Sequence, residues 1–140
     1  MFIIRRFYSV VFTVCIILMS ISTAYAATGD NVAQPMYLYL SGITADLSID
    51  EITGVATCSG TMLSSKYYPV KIVVNLQQYA NGFWNTIRTW SSTGNRAVSC
   101  SGSYAVYSGY TYRTFVTAYI YDADGNFIES GTKSRTVFFP

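Results

Sequence analysis

Histidine is absent from all 140 residues. That removes the usual general base of serine and cysteine nucleophilic triads. The remaining chemistry rests on three cysteines and seven acids. Asp30, Asp46, Asp50, Glu51, Asp122, Asp124 and Glu129 fall mostly at turn-like positions. Glycoside hydrolysis needs two carboxylates facing each other across a cleft, which acids on separate turns of a small domain do not supply. Cys58 and Cys100 have no third thiol or imidazole beside them to complete a zinc site. Asp122-x-Asp124-Gly125-Asn126 has the oxygen spacing that opens a calcium loop, but Glu129 comes too early to close one. An Asp-Gly hairpin tip accounts for those residues without metal. We therefore expect no enzyme, no cofactor and no metal centre; a small hydrolase is the remote alternative.

Aromatics are the other residues able to make specific contacts. Eleven of the thirteen tyrosines lie after residue 26, together with Trp84 and Trp90. Tyr119 and Tyr121 should point outward if Val116, Ala118 and Ile120 point inward. Exposed aromatic rings stack on sugars or anchor a protein partner. They also populate strands simply as cross-strand packing, so both readings stay open. Trp84, Trp90, Tyr119 and Tyr121 are the candidate ligand contacts.

The elements that hold these residues begin with an export signal. Arg5-Arg6 precede an apolar run of fifteen residues, Phe7 to Ile21, and Ala24-x-Ala26 offers a small-x-small exit. Basic start, apolar middle and small-residue exit make a secretory signal. The run is too short for a spanning helix, which needs about 20 apolar residues. Cleavage is expected between Ala26 and Ala27, leaving no membrane segment. It also removes Arg5 and Arg6 from nine basic residues, so seven then balance seven acids. A neutral domain with scattered cations has no footprint for nucleic acid. Residues 27–35 read as a flexible leader, and 36–140 as one domain.

Beyond the leader, alternation of period two dominates and helical periodicity is absent. Ile43, Ala45, Leu47 and Ile49 alternate with Thr44, Asp46 and Ser48; Val70, Ile72, Val74 and Leu76 mark the most hydrophobic strand; and Tyr112, Thr114, Val116, Ala118 and Ile120 again follow period two. Asn81-Gly82 between two strand-like runs is a strong hairpin signal. About seven strands with turn residues between them predict an all-β, antiparallel sandwich of the immunoglobulin type, with a small closed barrel as the rival. Tyr110 or Tyr112, near the start of the sixth strand, is placed to form a tyrosine corner. Loss of Cys15 with the signal leaves Cys58 and Cys100 as an even pair in an oxidising compartment. They fall in the second and fifth strands, which predicts a cross-strand disulfide within one sheet. It would close a loop of roughly 40 residues, worth on the order of 4 kcal/mol on the chain-entropy account.

Leu76-Gln77, the Gly82-Phe83-Trp84 hairpin, Trp90 and Gly109-Tyr110-Thr111-Tyr112-Arg113 together resemble a family of short secreted proteins of Gram-positive bacteria known only as a domain of unknown function. The likeness spans roughly residues 40 to 130. It implies an extracellular β-sandwich and supplies no catalytic residue. We expect a secreted, non-catalytic binding module at or outside the cell surface, with a glycan, cell-wall material or an extracellular protein as partner. The alternative is a structural or self-associating protein, whose apolar last strand Thr136–Pro140 would pair with another chain. With no wall-sorting tail after that strand, free secretion is the expectation.

Overall fold

Val70, Ile72, Val74 and Leu76 are fully buried while Lys71, Val73, Asn75 and Gln77 between them are not. That one-in, one-out pattern is what a pleated strand with a single covered face imposes on its sequence. The computed structural model describes residues 35–140, so the expected signal peptide, its Ala26–Ala27 cleavage site and nearly all the leader lie outside the described residues. The described residues form seven strands and no helix: β1 (Leu40–Asp50), β2 (Val55–Ser64), β3 (Pro69–Ala80), β4 (Phe83–Asn95), β5 (Ala97–Ala105), β6 (Tyr110–Tyr121) and β7 (Phe127–Phe139).

All pairings are antiparallel, in the order β1-β2-β5-β4-β3-β6-β7. The ladder is formally continuous, but β4 and β5 share only the pair Asn95–Ala97. Between them Arg96 adopts a left-handed conformation (φ 66°). Its N–H donates to the Tyr68 carbonyl at 2.8 Å, and its carbonyl accepts from Ser64 N at 2.7 Å. The chain turns there from one layer into the other. The result is a sandwich, with β1-β2-β5 packed on β4-β3-β6-β7.

The core lies between the layers. One contributes Leu47, Ala56, Cys58 and Met62; the other adds Val70, Ile72, Val74, Leu76, Tyr112, Val116, Ala118 and Ile120. The layers approach closely at Gly60, where an added Cβ would lie 2.8 Å from Val116 Cγ2. Asn81 (φ 55°) and Gly82 (φ 82°) make the two-residue turn expected between β3 and β4. Both take positive φ, as hairpin turns of this kind require. Asp50 organises the β1–β2 turn, its carboxylate accepting from Ile52 N (2.9 Å) and Thr53 N (3.2 Å).

Tyr112 is the corner tyrosine. Its hydroxyl donates to the Tyr107 carbonyl at 2.7 Å and accepts from Tyr107 N at 3.1 Å, and the ring is 1% exposed. Tyr110, the other candidate, is partly exposed and meets the Tyr112 ring edge-on. A second clamp ties the segment before β1 to β7. The Glu129 carboxylate accepts from three successive backbone amides, Leu38 (2.7 Å), Tyr39 (2.9 Å) and Leu40 (2.8 Å).

The expected Cys58–Cys100 disulfide is not formed; both thiols are free. Strands β2 and β5 are neighbours, and both cysteines occupy inward positions. The register, however, sets Cys58 opposite Gly102 and Cys100 opposite Gly60. Diagonal neighbours of this kind sit roughly 7–8 Å apart, somewhat less between Cβ atoms, whereas a bridge usually spans about 4.4–6.8 Å between Cα atoms. Strand membership was legible in the sequence and the two-residue offset was not. Burial pushes the Cys58 thiol pKa up, with a small opposing effect from the Thr114 hydroxyl beside it. That hydroxyl is itself buried without a hydrogen-bond partner.

Candidate binding face

The hairpin β3–β4 carries an irregularity that decides which way its side chains point. Register runs Leu76 opposite Arg88 and then Gln77 opposite Thr86, leaving Ile87 without a counterpart. Such a bulge shifts the parity of everything beyond it. Trp90 stands opposite the buried Val74 and therefore faces the core. Trp84 stands opposite Tyr79 and faces solvent.

Trp90 therefore does not share the outer face with Trp84 and packs between the layers. Its half-buried ring lies flat against Gly102 of β5, so close that no Cβ would fit there. It fills the gap between the layers where β4 and β5 diverge.

Trp84 belongs to a cluster on the outer face of β4-β3-β6-β7. Its ring meets Tyr79 at 5.2 Å between centroids. The Arg113 guanidinium lies 4.2 Å over Trp84 and 4.9 Å over Phe115. Arg113 Nε donates to Gln77 Oε1 at 2.6 Å, and Gln77 Nε2 donates to Thr86 Oγ1 at 3.0 Å. One rung further along, Thr89 Oγ1 donates to Asn75 Oδ1 at 2.7 Å. Phe138 shares the outward end row with Trp84, Tyr79 and Thr111. Partial burial draws the Arg113 pKa below its ordinary value, yet a guanidinium stays charged throughout the physiological range.

Tyr119 and Tyr121 occupy the outward positions expected of them, half-buried, at the other end of β6. Both meet Phe127, at 6.5 Å and 6.3 Å. Six residues of strand separate Tyr119 from Arg113, about 20 Å at the usual rise. The face therefore has aromatic groups at both ends and hydroxyl and amide side chains between them. Tyr79, Arg113, Phe115 and Gln77 were not among the sequence candidates. Parity alone could have found Arg113 and Phe115, since they share the register of Tyr119 and Tyr121.

Charge is divided between the two outer faces. The outward positions of β4, β3, β6 and β7 hold Lys71 and Arg113 and no acid. Strands β1, β2 and β5 contain no Lys or Arg, and Asp46 and Asp50 lie outward on β1. The two outer faces thus carry opposite charge.

A cleft of about 490 Å³ opens between the diverging β4 and β5, lined by Gln78, Ile87, Tyr104, Ala105, Val106, Tyr107 and Tyr112. Arg88 lies 4.5 Å over Tyr104 beside it. The Tyr112 hydroxyl is spent on the corner, so Gln78 and the hydroxyls of Tyr104 and Tyr107 are the other polar side-chain groups of the wall. Elsewhere, Asp122 accepts from Asp124 N, Asn126 N and Asn126 Nδ2 at 2.9, 2.8 and 3.1 Å, so its oxygens serve the β6–β7 turn. Among the described residues, no three His, Cys, Asp or Glu side chains gather into a metal-holding group. No protein-family model matches the chain, and no curated protein matches it.

Proposed function

We propose that this chain is an exported, non-catalytic sandwich of the immunoglobulin type that binds an extracellular glycan on the outer face of β4-β3-β6-β7. The secretory pattern of residues 1–26 supports export. The strand order and the Tyr112–Tyr107 corner support the immunoglobulin-type assignment. The observation that carries the binding reading is the Tyr79–Trp84–Arg113–Phe115 cluster, set beside the fixed side chains of Gln77, Asn75, Thr86 and Thr89. Rings supply flat apolar area for sugar faces, and the amides and hydroxyls supply partners for sugar hydroxyls. Being mounted on paired strands, these groups lose little freedom when a ligand arrives.

Co-sedimentation of the exported protein with purified cell-wall polysaccharide tests this. Saturable pull-down is expected. Failure to sediment with any wall or glycan fraction would remove the reading.

The charge division favours a second reading, in which the Asp46–Asp50 side of one copy stacks on the Lys71–Arg113 side of the next. Contacts of that head-to-tail kind build rings when the rotation closes and open filaments when it does not. Sedimentation velocity separates the two: a monomer over a hundredfold concentration range excludes stacking.

A further inference from the structure

Resting on that glycan-binding face, we infer that its ligand is an acidic polysaccharide and that Arg113 recognises the carboxylate or phosphate oxyanion. An arginine is usually mobile, but here two rings and one hydrogen bond fix it. Trp84 and Phe115 hold the guanidinium plane at 4.2 and 4.9 Å, and Gln77 takes the Nε proton at 2.6 Å. Gln77 is itself held from its other end by Thr86. Of the five N–H donors in the fork, only Nε–H is engaged with a described residue. The remaining donors sit on the two terminal nitrogens, the edge that pairs bidentately with carboxylate or phosphate.

No acid on the same face competes for that edge, because Asp46 and Asp50 lie on the opposite side of the sandwich. The same combination recurs at the far end of the face. Lys71 stands directly opposite Tyr119, about 20 Å from Arg113 along the strands. A cation beside an aromatic ring at each end suits a polymer with repeated negative charges and sugar faces between them. A single small anion would use only one end.

The test measures affinity of the exported protein for polygalacturonate, for a phosphorylated polysaccharide and for neutral dextran, at low and at physiological salt. Binding to either acidic polymer, weakened by salt and well above binding to dextran, is expected; the polymer preferred identifies carboxylate or phosphate as the group read. Arg113→Gln should weaken acidic-polymer binding about tenfold. Arg113→Lys should weaken it nearly as much, because it keeps the charge and loses the fork. Lys71→Gln, remote from the cluster, should give a smaller loss. Circular dichroism of each variant checks that the fold persists. Equal or tighter binding of dextran would overturn the oxyanion inference while leaving the glycan face standing. Unchanged acidic-polymer affinity in Arg113→Gln would overturn it as well. Binding to none of the three would overturn both.

Discussion

Trp84 and Trp90 lie six residues apart on one strand and point to opposite faces of its sheet. In an unbroken strand that even spacing would put both on the same face. Ile87, the unpaired residue at the bulge, reverses the parity between them. One indole therefore closes the sandwich over Gly102 and the other is offered to solvent beside Tyr79 and Arg113.

The two tryptophans should consequently separate in their effects on stability. Trp90→Ala removes a half-buried ring that spans the layers and should cost about 3 kcal/mol, near the lower end for a large aromatic. Trp84→Ala loses one ring pairing and one cation–π contact, together about 1 kcal/mol. Urea unfolding of both variants checks this; equal losses would contradict the parity argument.

Tyr112→Phe tests the corner. It removes a hydroxyl and leaves the Tyr107 N–H and carbonyl without that partner. A loss of about 1–2 kcal/mol is expected, read as a lower denaturation midpoint with an unchanged slope.

Glu129 makes stability depend on pH. Burial by itself would raise its pKa, but the amides of Leu38, Leu40 and Tyr39 outweigh burial and hold it below the ordinary 4.5. A carboxylate with a depressed folded pKa contributes its full stabilisation above the unfolded value and loses it as pH falls through the folded one. Asp50 and Asp122, both lowered by turn amides, act in the same direction. Thermal midpoints should therefore fall below about pH 4. Glu129→Gln should be less stable at pH 7 by about 2 kcal/mol, and its midpoint should change less between pH 7 and pH 3 than that of the parent protein.

The register of β2 and β5 leaves Cys58 and Cys100 unbridged. Protein unfolded without reductant should give two titratable thiols, and its intact mass should not rise by two protons on reduction. Native protein should react slowly at Cys58, which is fully buried with its thiol pKa raised. A two-proton mass increase on reduction would show that the strands slide relative to the register described here.

Much of the fold was legible because period-two alternation is a direct imprint of a one-sided strand. The patterns of Val70 to Leu76 and Tyr112 to Ile120 marked β3 and β6, and Asn81-Gly82 fixed the hairpin. Tyr119 and Tyr121 came out on the expected side for the same reason. The misreadings concern relationships between strands. Nothing local in Ile87-Arg88 announces a bulge, so the sequence does not separate the faces of Trp84 and Trp90. Nothing in the spacing of Cys58 and Cys100 sets the β2–β5 register, so their nearness was inferred from the neighbouring of strands alone. Arg113 shows the remaining gap. Its own segment reads as alternating strand, while its two rings and its amide partner come from β3, β4 and β6 and meet only after folding.

Glycan binding at the outer face around Trp84 is tested by co-sedimentation of the parent protein and Trp84→Ala with purified wall polysaccharide. Saturable pull-down of the parent is expected, with its loss in Trp84→Ala while circular dichroism shows the variant still folded. Pull-down of a folded Trp84→Ala at the parent's affinity would contradict it.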